Sequence, residues 1–291
     1  MSSLLPVMIK DEQPAVRASA VSTIAMIPHA VPGAPACIEH VWAAAKPGEA
    51  CDMPIRAASL RALGVLSHEE PHKSDVQTLI RVAGALDMCS RDPSLQVRMK
   101  AGWALASLCE NPTVILEGGK SSEYVRHHAG LTLLRLAELS LRLMADNDKV
   151  RVYGARALGN LGHAPEFVRF IAGSTSSEAA TQLCSRIEAE LCRVISSLTF
   201  SVKVRWNACH AAGLLLANPL ASSSSPPWGT RLLQALGSAS EEADNFKVRT
   251  QATRGIRYAT ERQTHIATRD GVDDAGPLVA RWRTAVRCAL A

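Results

Sequence analysis

At six places along the 291 residues, spaced 39 to 54 residues apart, a Val-Arg or Ile-Arg pair opens a run dominated by Ala, Leu, Val and Gly. The clearest copy spans 148–162, where Val150-Arg151 follows Asp148 and leads into Ala155, Ala157, Leu158, Gly159, Leu161 and Gly162. The others lie at 11–27 around Val16-Arg17, 53–66 around Ile55-Arg56, 92–108 around Val97-Arg98, 201–216 around Val204-Arg205 and 245–256 around Val248-Arg249. This self-similarity constrains the fold more than any local motif does. One copy cannot bury its own apolar face, so neighbouring copies must stack into a continuous core. Successive marks are 39, 42, 53, 54 and 44 residues apart. Roughly 40–47 residues accommodate two helices and their turns. The array therefore predicts about six helix pairs, with inserted loops at 110–122 and 163–177 where the interval is longer.

Apolar spacing places a first helix before the marks at 35–46, 74–89, 121–145, 176–198 and 228–240. Within 74–89, Val76, Leu79, Ile80, Ala83 and Leu86 recur at helical spacing behind Ser74, the expected N-cap. Residues 4–9 read as the end of such a helix and 277–291 as the start of another. The chain is thus expected to be one domain cut from a longer array, with units near 1–30, 35–67, 74–109, 121–162, 176–217 and 228–258. The Ser-Pro run at 222–227 and the polar stretch at 260–276 are expected to be surface loops.

Composition agrees with packed helices. Hydrophobic residues make up 47% of the chain but aromatics only 4%, so the core must be built from small aliphatic side chains. Eight cysteines form no CxxC pair, and Cys109 and Cys209 sit inside apolar runs. They read as buried thiols of a reducing compartment. Residues 4–9 are too short for a signal sequence, and no apolar run approaches the ~20 residues that span a bilayer. The expected setting is intracellular, in cytoplasm or nucleus, with no membrane contact.

On a wheel of about 100° per residue, Val150, Tyr153, Gly154, Ala157, Leu158 and Leu161 share one face and form the predicted core of their copy. Arg151 falls at the edge of that face, and its equivalents are Arg17, Arg56, Arg98, Arg205 and Arg249. Asp11 lies six residues before Arg17, and Asp92 six before Arg98. The spacing predicts a ladder of carboxylate–guanidinium pairs between neighbouring turns, a structural column. Five residues beyond each arginine comes a position opposite the core, occupied by Ser22, Arg61, Trp103, Arg156, His210 and Arg254. Arg61, Trp103, Arg156, His210 and Arg254 are the candidate partner-binding residues, because such side chains on an outward helix face can hold an acidic partner by charge and stacking. A net charge of +5 agrees with an acidic protein partner. Nucleic acid is the weaker alternative, since 27 acidic residues offset 32 basic ones.

No catalytic or metal-binding signature accompanies the array: HExxH, GxSxG, a Walker loop and GxGxxG are all missing. His127 and His128 are adjacent on a predicted helix and point about 100° apart, so they do not chelate as a pair. Gly118-Gly119-Lys120 lacks the upstream glycine of a phosphate loop. Glu241-Glu242 and Asp273-Asp274 read as solvated charge or helix caps. The chain is expected to be non-catalytic, with no cofactor and no metal.

The acidic–arginine ladder makes the chain resemble the HEAT-repeat superfamily over nearly its whole length. Val202-Lys203-Val204-Arg205-Trp206-Asn207-Ala208-Cys209, with Asn218-Pro219 and Asn245-Phe246-Lys247-Val248-Arg249, is similar to the C-terminal repeats of the family called HEAT repeat-containing protein six. The resemblance implies an all-α, armadillo-like, right-handed α-solenoid of about six HEAT-type helix pairs, serving as a protein–protein interaction scaffold within a longer protein. It supplies no ligand residues. A nucleic-acid-binding HEAT domain with a basic concave face is the alternative. A HEAT-like enzyme, such as a DNA glycosylase, is more remote, because no carboxylate stands in the outward column.

Overall fold

The computed structural model describes residues 7–8, 10–26, 38–46, 53–68, 75–110, 123–164, 167–168, 170–171, 178–218 and 229–269, without the side chains of 123–126 and 262–269. Among the described residues there are eleven main helices and no strand. They are α1 (Pro14–Met26), α2 (Ile38–Ala45), α3 (Met53–Leu66), α4 (Val76–Cys89), α5 (Leu95–Leu108), α6 (Glu123–Met144), α7 (Asp148–His163), α8 (Glu178–Ser196), α9 (Val202–Leu216), α10 (Thr230–Glu242) and α11 (Phe246–Arg269). The odd-numbered members α1, α3, α5, α7, α9 and α11 carry the six Val-Arg or Ile-Arg marks. The fold is all-α, an α-solenoid of stacked helix pairs. The chain divides into two compact units, Met1–Leu143 and Met144–Ala291.

In the first unit, α1, α3 and α5 pack side by side, while α2 and α4 form a second layer against them. Their core is aliphatic: Leu60, Leu63, Leu66, Leu86 and Leu105 are fully buried. A buried leucine stabilises by about 1.5–3 kcal/mol over an exposed one, so a few aliphatic layers suffice without aromatic filling. Helices with small residues can also approach closely. A Cβ placed on Gly64 of α3 would stand 2.9 Å from the Ala104 backbone of α5. The cap of α4 is Asp75, whose carboxylate accepts from Gln77 N at 3.1 Å and Thr78 N at 3.0 Å. It replaces the expected Ser74, which lies outside the described residues, and an ionised cap suits the positive end of the helix dipole better than a hydroxyl.

The second unit repeats the arrangement, with α7, α9 and α11 adjacent in one layer and α8 and α10 in the other. Asn147 caps α7, accepting from Lys149 N at 2.9 Å. Val150, Gly154, Ala157, Leu158 and Leu161 are buried as the wheel requires, whereas Tyr153 is half-exposed and Ala155 takes a buried place instead. Backbone contact is closest here. A Cβ on Gly159 would meet Ala211 Cα at 2.9 Å, and one on Gly213 would meet Gly255 Cα at 2.6 Å.

Two expected loops turn out otherwise. The inserted stretch 163–177 contributes Phe167, Val168 and Ile171 to the core, with short helical segments at 167–168 and 170–171. Its polar ends mask an apolar centre. The stretch 260–276 begins as helix, because α11 continues to Arg269. Polar composition does not stop a helix when no Gly or Pro interrupts it, and none occurs between Thr260 and Gly271. Residues 111–122, 219–228 and 270–291, which include Gly118-Gly119-Lys120, the run 222–227, Asp273-Asp274 and the helix start at 277–291, lie outside the described residues, as do 1–6 and 9 of the segment 4–9.

Candidate functional site

The repeated arginines form two kinds of bond. In the first, the guanidinium folds back onto carbonyl oxygens at the end of the preceding helix or turn. Arg17 Nη1 donates to the carbonyls of Asp11 (2.6 Å) and Glu12 (2.8 Å). Arg98 Nη1 does so to Asp92 (2.8 Å) and Pro93 (3.1 Å), and Arg249 Nη1 to Ala243 (2.6 Å). Arg151 Nε donates to Met144 O at 2.5 Å, and its other nitrogens reach Asp146 O and the Asp148 carboxylate. In the second kind the arginine crosses to the next pair. Arg56 Nε donates to Asp92 Oδ2 at 3.0 Å, and Arg205 Nη1 to Asp244 Oδ1 at 2.8 Å. The ladder thus differs from its expected register. Asp92 meets Arg56 of the preceding pair through its carboxylate and Arg98 only through its carbonyl, while the carboxylate of Asp11 accepts from Gln13 N at 2.8 Å.

The outward column falls into two sets, one on each unit. On the first, Arg61 of α3 is exposed and Ser22 of α1 and Trp103 of α5 are half-buried. The Trp103 ring leans over Gly64, with Cζ3 3.0 Å from where a Cβ would stand. On the second, Arg156 of α7 and Arg254 of α11 are exposed, flanking half-buried His210 of α9.

Around His210 the surface opens into a cleft of about 470 Å³ between α9 and α11, lined by Trp206, His210, Gly213, Leu214, Gln251, Arg254, Gly255, Arg257 and Tyr258. Trp206 and His210 stack, their ring centroids 5.8 Å apart and planes 24° from parallel. Gln251 Nε2 donates to His210 Nδ1 at 3.1 Å, which places the neutral ring's proton on Nε2. Partial burial, with Arg156 and His163 nearby, pushes the His210 pKa below its usual value. The Tyr258 ring lies 6.4 Å from that of His163 and is 42% exposed. Arg257 pairs with Glu261 at 3.4 Å. The guanidinium of Arg254 and the indole N–H of Trp206 have no acceptor among the described residues.

Trp206, Gln251 and Tyr258 were not in the sequence-derived column. Trp206 stands four residues before His210 and Tyr258 four after Arg254, one helical turn from the counted position and on the same face. Gln251 stands three before Arg254, so counting i±3 and i±4 neighbours of the column finds all three.

One layer of this unit is predominantly basic, while the other carries both signs. The helices α7, α9 and α11 present Lys149, Arg156, Lys203, Lys247, Arg254 and Arg257 to solvent. On α8 and α10, exposed Glu178, Glu241 and Glu242 stand beside exposed Arg186, Arg193 and Arg231. Glu241-Glu242 sits at the exposed end of α10. His127 and His128 meet edge to face, 5.6 Å apart, rather than converging on a common point. Burial pushes the thiols of Cys89, Cys184 and Cys209 up to about 12, which keeps them protonated and unreactive at neutral pH. Among the described residues, no group of three or more His, Cys, Asp or Glu could hold a metal ion, and no helix is long and apolar enough to cross a membrane.

No known family profile matches the chain. Over 106 residues it is 30% identical to an uncharacterised protein of Dictyostelium discoideum, a match covering 36% of this chain and only 7% of that protein. Solved structures resemble it over most of its length. An engineered protein superimposes with a TM-score of 0.56 at 14% identity, covering 89% of this chain and 96% of that one. A designed armadillo repeat protein in complex with the peptide (KR)4 gives 0.54 at 18% identity, covering 89% and 99%. A second designed armadillo repeat protein gives 0.52 at 13% identity, covering 89% and 100%. The layered helix pairs and these likenesses define the class as an armadillo/HEAT-type α-solenoid.

Proposed function

We propose that the chain is a non-catalytic protein-interaction scaffold whose α7–α9–α11 face takes an acidic segment of a protein partner. The observation that carries this reading is the basic excess of that face: six exposed Lys and Arg side chains project from α7, α9 and α11 against one exposed carboxylate, Glu261, among the described residues. A surface of one sign steers oppositely charged partners and raises their encounter rate. Repeat arrays are well suited to the task, because successive helices extend one binding surface without a new core. A similar designed armadillo repeat protein was solved in complex with the basic peptide (KR)4; here the candidate face is itself basic, so the complementary segment is acidic. The cleft offers hydrogen-bond donors and aromatic rings but no carboxylate, which favours holding a ligand over acid–base chemistry.

The test is quantitative affinity purification of the wild-type chain beside the Arg156→Glu/Arg254→Glu double variant. Both sites are exposed, so folding should be preserved. Partners rich in acidic segments should be lost from the variant, and their undiminished capture would overturn the reading. Binding to single- or double-stranded oligonucleotides across a salt series separates the nucleic-acid alternative. Phosphate contacts would give a steep fall in affinity with salt.

A further inference from the structure

We propose that the α9–α11 cleft is a specific anchor site, seating one aromatic side chain of an acidic peptide and holding a neighbouring carboxylate at its rim. This deepens the scaffold reading and rests on it. The cleft's volume, about 470 Å³, falls within the range of small-ligand pockets (roughly 300–1,000 Å³). Its floor is bare backbone. Gly213 and Gly255 approach so closely that a Cβ on either meets the opposing helix within 3.4 Å, and no side chain grows from either position to fill the space above. Aromatic rings line it, Trp206 stacked on His210 from α9 and Tyr258 from α11, together with Leu214. An aromatic ring complements such a lining, since offset and edge-on ring contacts are favourable there.

The rim specifies charge. Arg254, the Trp206 indole N–H and the His210 Nε2–H are three donors with no acceptor among the described residues, and the lining contains no acid. A carboxylate satisfies them best, because a guanidinium binds it through two parallel hydrogen bonds. A nucleic-acid strand would bring phosphates but no single side-chain ring matched to an anchor, and the oligonucleotide probe tests it.

The experiment uses fluorescently labelled synthetic peptides on the full chain, read by anisotropy. One peptide alternates Asp and Ser around a single central Phe. A second replaces the Phe with Ala, a third replaces each Asp with Lys, and a single-stranded oligonucleotide serves as the fourth probe. The Phe peptide should bind about tenfold more tightly than its Ala counterpart, the loss typical of one interface anchor. Trp206→Ala should abolish that advantage, weakening the Ala peptide only by the one hydrogen bond of the indole N–H, and Arg254→Glu should weaken both. Arg91→Glu, exposed on the other unit, should change neither. Should Trp206→Ala fail to fold, Trp206→Phe keeps the ring, removes the N–H and should retain most of the Phe advantage. Equal binding of Phe and Ala peptides overturns the anchor; if Arg254→Glu then weakens both, the scaffold reading survives it. Preference for the Lys peptide or the oligonucleotide overturns both.

Discussion

A guanidinium carries five N–H donors in a rigid fork, and the repeated arginine turns them on backbone carbonyls that would otherwise lack partners. The last carbonyls of a helix have no intrahelical donor and sit at the negative end of its dipole. Arg151 and Arg205 reach the carbonyls of Met144 and Ile195, in the last turns of α6 and α8, from the helix that follows each. Arg205 is almost fully buried, so the bond forms where water cannot compete. Phe200 adds a second use of charge, lying between the guanidinia of Arg151 (4.6 Å) and Arg193 (4.7 Å). His210 behaves in the opposite way. Burial, with the cations Arg156 and His163 from α7 beside it, favours its neutral form, while Gln251 from α11 and Trp206 on its own helix add no charge. A histidine whose folded-state pKa is depressed stabilises the fold fully above its unfolded value, about 6.5. That contribution drains away as pH falls through the folded value. The melting temperature of the wild type should therefore drop more steeply between pH 7.5 and 5.5 than that of His210→Gln. Parallel curves would show that His210 is not the sensitive group.

At the level of the helix, the decisive contacts are between backbones. Gly213 of α9 faces Gly255 of α11, and a methyl group there would stand 2.6 Å from a Cα atom that cannot swing aside. Gly213→Ala should destabilise the fold by about 1–3 kcal/mol, the usual cost of overpacking. Gly84 of α4 has nothing within 4 Å of its would-be Cβ, so Gly84→Ala should stabilise by about 0.4–1 kcal/mol through helix propensity. Chemical denaturation of the two variants checks both signs. The second helices were legible in the sequence because mark and spacing coincide; Met53–Leu66 lies where the reading put it. Failures arose where polarity stood in for structure, at 163–177 with its buried Phe167 and at 260–269 with its unbroken helix. The outward positions Arg156 and Arg254 were legible from the wheel. The cleft beside them was not, since it depends on which helix lies next to α9 and on how near the two glycines let it come.

Across the whole molecule, each helix pair gains stability from the pair on either side. Within the second unit, α9 touches α7, α8, α10 and α11, and nearly every residue on its inner face is buried, from Val204 to Leu216. Its amides should exchange most slowly in that unit, with α11 faster toward Arg269. Faster exchange in α9 than in α11 would contradict a stack held by neighbours. The glycine contacts have one more effect. Neighbouring helices stack about 8–10 Å apart, the shorter distance belonging to small residues, and an extended chain advances about 3.3 Å per residue. A segment laid across α7, α9 and α11 therefore meets a new helix at roughly every second or third residue. Gly159 and Gly213 act as a ruler, and the cadence of acidic residues in a natural ligand should be commensurate with it.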